Sequence, residues 1–410
     1  MAGPRSGATW FPPPMPVLFT YAFRSLFLLA TLYAIAVVPL WAAAWLGYVP
    51  MPTSLGTPNW WHAHEMIYGF AGAAIGGFAL TAVAMWTKRP PVAGAPLMIL
   101  SALWVIARIL FAFPFPALLA PAIAADLGYG VLLFVLMSRE VISVRSQRNY
   151  KVLAILGLLP LTNAFFFLGM TRNSPWTTTA LFAGLWLVVL LMNLIGGRVI
   201  PGFTRNWLKR QLAEQKREPT TLPPVFDRFD LLTTWFMVAF AILHLLEAPS
   251  QGTAVVGLIT SVLLLIRLTR WQGIHTGSEP LVWVLHVGFS WLPVAFLLLA
   301  AAEIGMLPQT AGIHALTSGA ITTMIIAIAG RAALGHTGRA LESHPVLTMA
   351  YVLITVAAIC RVAATIGPGA RALLAASAMA WFLGFVCFAW RYVPILTQPK
   401  ATTPGSLPTV

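Results

Sequence analysis

Twelve apolar stretches, each about as long as a bilayer-crossing helix, leave this chain few folds to choose from. They run near 21–47, 63–86, 92–113, 116–138, 152–170, 177–199, 228–248, 252–271, 280–301, 310–332, 345–366 and 371–394. A helix needs roughly 20 residues to cross the hydrocarbon, and there every backbone amide must be bonded within its own element. Gly, Pro and Trp clusters and short polar turns separate the stretches. Charged residues make up 9% of the chain, against about 25% in soluble domains. The expected fold class is therefore all-α: a polytopic integral membrane protein of about twelve transmembrane helices.

The net charge of +14 is a topology signal and points to no nucleic-acid partner; the partner it implies is the lipid bilayer. Lys88, Arg89, Arg139, Arg145, Arg148, Lys151, Arg205, Lys209, Arg210, Arg267, Arg270, Arg331 and Arg339 all fall at gaps that follow even-numbered stretches. The other gaps hold only Arg172 and Arg371. Basic loops stay in the cytoplasm, so both termini are expected inside (N-in/C-in).

Residues 1–20 are expected to form a cytoplasmic N-terminus and 21–199 the first six helices. Residues 200–227 then form a basic cytoplasmic loop, 228–394 helices 7–12, and 395–410 a disordered Thr/Pro/Ser-rich cytoplasmic tail. Met1 to Pro16 lacks a basic n-region, so the first helix is read as uncleaved. No matching motifs link the two six-helix halves. Cys360 and Cys387, deep in apolar segments, read as small core residues.

Coordinating side chains next to lipid are costly and usually functional. In Trp60-Trp61-His62-Ala63-His64-Glu65-Met66 they stand at the mouth of an apolar segment, beside aromatic anchors. The topology puts His62, His64, His244 and His314 at one level, on the periplasmic side. His62 and Glu65 are three residues apart, as are His244 and Glu247, a spacing that shares one helix face. His64 lies on another face, four residues before Tyr68, which is either a hydrogen-bonded packing residue or a redox tyrosine. Imidazole with carboxylate suits iron, copper or zinc, and neutral imidazole suits haem iron. A metal site of His62, His64, His244 and Glu65 follows, with His314 beside it and Glu247 in or behind it.

Asp126, Arg108 and Arg361 fall deep in apolar segments, where charges face the bundle and find partners. Either Asp126 forms a structural pair with an arginine, or the arginines hold haem propionates and Asp126 relays protons. His286, with Gly288 nearby, is a haem axial ligand or a histidine bonded to a neighbouring helix. On the opposite side, Gly196-Gly197-Arg198 to Asn206 and Gly335-His336-Thr337-Gly338-Arg339 either cap helices or cradle an anionic or quinone head group.

The runs Trp61-His62-Ala63-His64-Glu65-Met66 with Gly69-Phe70, Leu80-Thr81-Ala82-Val83 ahead of Trp86-Thr87, Phe203-Thr204-Arg205-Asn206, His314-Ala315-Leu316-Thr317 and Leu334-Gly335-His336-Thr337-Gly338-Arg339 together resemble the NnrS family. They occur in family order over nearly the whole chain. The resemblance implies a multi-pass protein of the bacterial inner membrane that binds haem, taken as b-type, and copper. It also implies a link to nitric oxide metabolism. Joined to the residue reading, with non-haem iron as the other choice of metal, it suggests a redox protein that reduces nitric oxide to nitrous oxide. Glu65, Glu247 and Tyr68 would serve the chemistry, and His286, His314, Arg108 and Arg361 would hold the cofactor. Electrons would come from quinol or another external donor. The rival reading is a transporter, or a metal- or haem-binding protein that protects against nitrosative stress without turnover.

Overall fold

The computed structural model describes residues 15–214 and 221–401. Those residues form twelve long helices: α1 (Ala22–Trp45), α2 (Pro58–Thr87), α3 (Ala95–Phe111), α4 (Pro116–Ser143), α5 (Tyr150–Thr171), α6 (Thr177–Glu214), α7 (Arg228–Leu245), α8 (Ser250–Arg270), α9 (Pro280–Glu303), α10 (Gln309–His336), α11 (Pro345–Ile366) and α12 (Ala370–Thr397). Eleven are long and apolar enough to cross a membrane, and α3, with 17 residues, is the shorter twelfth. The expected all-α polytopic class is thus the observed one.

Local chemistry sets the helix starts. Proline occupies the first turn of α2, α4, α9 and α11, where its missing N–H costs nothing. Thr57 caps α2 by accepting from the Trp60 amide at 3.2 Å. Asp227 and Asp230 form a reciprocal capping box at α7.

Four helices make one unit, and three units close a ring. In each unit the first helix packs on the second and the third on the fourth: α1 on α2 and α3 on α4, then α5 on α6 and α7 on α8, then α9 on α10 and α11 on α12. The units join through α4 against α5, α8 against α9, and α12 against α1. The second helices, α2, α6 and α10, meet in the middle, and they are the three most buried spans. Each carries, at the end of α2 and α10 and within α6, a ring side chain followed by a buried threonine: Trp86-Thr87, His336-Thr337 and Phe203-Thr204. Each threonine returns its hydroxyl to the carbonyl four residues back, at 2.7, 2.6 and 2.9 Å respectively. The chain therefore repeats every four helices, a period that comparing six-helix halves does not reveal.

Two of the central helices share a further device. In α2 the residues Glu65–Ala71, and in α10 the residues Ala315–Ile321, wind as seven-residue π-helix. Each segment follows a histidine, His64 or His314, and holds glycine at its fifth position, Gly69 or Gly319. The glycines admit large neighbours: a Cβ on Gly69 would lie 2.5 Å from Arg108 Nη1, and one on Gly319 2.4 Å from Trp291 Cδ2. Carbonyls loosened by the wider winding find donors. Trp104 Nε1 donates to Gly69 O at 2.9 Å, and Thr322 Oγ1 to Thr317 O at 2.9 Å.

Two boundaries differ from expectation. α6 continues through Glu214, so residues 200–214, expected as loop, are helical; Arg205 fastens this extension by donating to Pro223 O at 2.8 Å. α12 runs to Thr397, past the expected boundary at 394. The buried Arg24 guanidinium donates to the carbonyls of Leu396 at 2.7 Å and Gln398 at 2.6 Å, satisfying the helix end. Residues 1–14 and 402–410, parts of the expected terminal segments, lie outside the described residues.

Candidate metal centre at the Arg-poor end

α2 carries its two histidines on different faces. The His62 ring stacks on Trp41 of α1, with centroids 4.4 Å apart and planes 7° off parallel, and its buried Nδ1 has no partner. His314 of α10 donates from Nδ1 to Thr310 O at 2.7 Å, which fixes the tautomer and leaves Nε2 as a free lone pair. The two imidazoles lie within electrostatic reach of each other and of Arg361 of α11, which makes no ion pair among the described residues. Two imidazoles with unshared nitrogens fit the donor chemistry of haem iron or copper. They do not by themselves make a closed tetrahedral zinc site, which takes four protein ligands. Among the described residues no group of three or more His, Cys, Asp or Glu side chains is placed to hold a metal ion.

The expected four-histidine convergence therefore does not form. His64 turns inward, toward α4 and α5, and is fully buried. Its Nδ1 lies 3.0 Å from Glu65 Oε1; its Nε2 lies 3.1 Å from Asn163 Oδ1 and 3.3 Å from Asp126 Oδ2. Both ring nitrogens face acceptors, and only an imidazolium donates on both sides. Arg108 Nη1 donates to Glu65 Oε1 at 2.8 Å, and Nη2 pairs closely with Asp126. Tyr33 donates to the other Glu65 oxygen, and Asn163 Nδ2 to Asp126 Oδ2 at 2.6 Å. Two cations and two carboxylates thus balance in a buried cluster whose nitrogens and oxygens are nearly all engaged. Glu65 serves His64 rather than His62, and Arg108 pairs with Asp126 and Glu65 instead of waiting for a propionate. Tyr68 packs on His64, with centroids 5.1 Å apart as the spacing implied, and donates to Thr162 Oγ1 at 3.0 Å. Beside the cluster lies a cavity of about 40 Å³ lined in part by Tyr68, Asp126, Tyr129 and Asn163, room for ordered water.

His244 stands apart again. α7 ends at Leu245, so Glu247 lies beyond the helix, exposed and in left-handed conformation at φ 49°. The expected His244–Glu247 face is therefore not built. His244 Nδ1 instead meets Glu303 of α9 at 3.0 Å, and Gln309 reaches Nε2 at 3.2 Å. His286, two turns into α9 from the Arg-rich end, meets Thr204 Oγ1 at 2.8 Å through Nε2. It lies at the opposite end of the bundle from His314, so the two do not share a centre. Sequence reasoning missed Trp41, Thr310, Asn163, Tyr33 and Glu303. All but Thr310, which precedes His314 by one turn of the same helix, are partners supplied by another helix, and no local motif marks them.

These features define a polytopic α-helical membrane protein with a pair of oriented imidazoles at one end of its central helices. The chain belongs to the NnrS family: the family model, described as NnrS protein, matches residues 17–400. That makes it a membrane protein of nitric oxide-related metabolism. No curated protein matches the chain.

Proposed function

We propose that this is a redox protein of the bacterial inner membrane that holds haem and copper or iron at its periplasmic end, binds nitric oxide there and reduces it to nitrous oxide. The observation that carries the reading is the His62–His314 pair, with a buried, unpartnered Nδ1 on one ring and an unshared Nε2 on the other. A bound iron or copper would supply an open coordination position and redox-active electrons. His62 and His314 would hold the metal, and Trp41, stacked on the His62 ring, sets its plane. Arg361, lacking a carboxylate, offers a two-pronged donor to a cofactor carboxylate such as a haem propionate. The overall conversion joins two nitric oxide molecules with two electrons and two protons, giving nitrous oxide and water.

Of the acids expected to pass protons, Glu65 faces away from His62 and Glu247 stands beyond α7. Protons are therefore expected to reach the half-buried imidazole pair from water at the membrane surface. The same lack of a positioned acid favours a second reading, in which the protein binds the gas without turning it over. The test combines metal analysis, a pyridine haemochrome assay and gas consumption by reduced, purified protein. Loaded protein that consumes nitric oxide supports the reductase. Loaded protein whose spectrum shifts with the gas but which consumes none supports binding alone. Protein that retains no haem, copper or iron overturns both.

A further inference from the structure

At the Arg-rich end, far from the histidine pair, two phenols are buried with nothing to bond. Tyr351 of α11 and Tyr392 of α12 are 0% and 1% exposed, and neither hydroxyl has a hydrogen-bond partner. Both point at the same turn of α10: a Cβ on Gly330 would lie 3.1 Å from Tyr351 Oη and 3.0 Å from Tyr392 Oη. A buried hydroxyl left unbonded loses its hydration without return, so such groups in a native fold call for an occupant.

The next residue along, Arg331, has its guanidinium 3.8 Å from the centre of the Phe203 ring of α6 and makes no hydrogen bond or ion pair among the described residues. Glu279 lies within electrostatic reach of both Arg331 and Tyr351. The half-buried Trp283 meets Tyr351 edge-on, with ring centroids 6.2 Å apart. The cluster thus offers three donor groups, one carboxylate acceptor and aromatic walls at the membrane level. Glu279 also accepts from Leu281 N at 3.2 Å and lies 3.7 Å from Arg210, so it offsets only part of the charge of two arginines, and the unbonded donors call for a ligand with acceptor oxygens. The ligand that matches is a flat ring bearing two oxygens that accept when oxidised and donate when reduced.

We propose that Tyr351, Tyr392 and Arg331 bind the head group of a membrane quinone, with Glu279 accepting from its reduced form. The electron-donating role rests on the reductase reading above; binding does not. In that role the quinol loses two electrons and two protons and becomes the quinone. The electrons reduce the nitric oxide centre, where two nitric oxide molecules and two protons give nitrous oxide and water, so atoms and electrons balance. Gly330 and His314 lie on the same helix, about 24 Å of helical rise apart.

The test is binding of a short-chain ubiquinone to purified full-length protein, followed by equilibrium titration, in the wild type and in Tyr351→Phe, Tyr392→Phe and the double variant. Each change removes only an unbonded hydroxyl, so the fold should hold or gain stability. We expect one quinone per wild-type chain and at least tenfold weaker binding in the double variant. No binding by the wild type, or equal binding by the double variant, overturns the proposal. Consumption of nitric oxide is then followed with the matching quinol and with a small soluble reductant. Loss in the double variant with quinol alone supports the donor role. Failure of the wild type with both reductants, while quinone still binds, sinks the reductase reading and leaves this site standing.

Discussion

His64 and His314 occupy the same position, the residue before the π segment, in two related central helices, yet His64 has both ring nitrogens engaged and His314 only one. The repeat built one position into a structural cluster and left the other open for a ligand. That difference separates the consequences of changing either residue.

His314→Ala and His62→Ala should strip haem or metal, or shift the absorption spectrum, while unfolding midpoints move little. Partly exposed rings with a free nitrogen contribute little to the fold. His344→Ala, at the opposite end, should change neither metal content nor the haem spectrum. Metal content unchanged in both His62 and His314 variants would show that the pair is not the centre.

Asp126→Ala should be destabilising without any direct effect on the imidazole pair. It strands the Arg108 guanidinium and His64 in a buried site, and breaking such a network typically costs about 3–5 kcal/mol. The double variant Arg108→Leu, Asp126→Leu should recover part of that loss, because it removes both charges. Denaturant unfolding of single and double variants in one detergent would measure the coupling, and additive losses would contradict it.

Two glycine-to-alanine changes should act with opposite signs. On Gly69 the new methyl would press on Arg108 Nη1, 2.5 Å away and pinned by two carboxylates, so a loss of about 1–3 kcal/mol is expected. On Gly202, inside α6 with nothing within 4 Å, alanine should gain about 0.5–1 kcal/mol from reduced backbone freedom. Thermal denaturation of both proteins, side by side, is a direct check.

Asp227 gives the start of α7 a pH dependence. The hydrogen bond from Arg270 is the main cause that lowers its pKa to about 2; burial opposes it, and bonds to Asp230 add to the lowering. A carboxyl lowered on folding stabilises fully above its unfolded pKa, and that contribution fades as pH falls toward 2. The group is 41% exposed, so screening keeps the effect modest. In Asp227→Asn the acid-side decline in stability between about pH 4 and 2 should flatten; an unchanged slope would assign it to other carboxyls.

How much of this was legible in the chain depends on the range of the interaction. The spans were readable because the bilayer imposes a length and a polarity on each one separately. The division of His62 from His64 followed from their spacing; the cost of lone charges in hydrocarbon called for a partner to Asp126 but did not choose between an arginine pair and a proton relay, nor between Arg108 and Arg361. The His244–Glu247 pairing failed because three-residue spacing means a shared face only while the helix lasts, and α7 stops at Leu245. The π segments have no propensity signature. The recurrence of His64 and Gly69 as His314 and Gly319 was the available sign, hidden by comparing halves instead of thirds. The acceptors of His64 and the stacking of Trp41 on His62 arise only when separate helices meet.

The bond between Arg24 and the last turn of α12 has a consequence for biosynthesis. The chain's first membrane helix carries a cation whose only hydrogen-bond acceptors among the described residues are made last, at Ile395, Leu396 and Gln398. Until the final helix leaves the ribosome, that guanidinium must be hydrated at the membrane surface or shielded by the insertion machinery. The seam between α12 and α1 is therefore the last to form, and a chain cut short before α12 would leave Arg24 without these acceptors and one face of α1 uncovered.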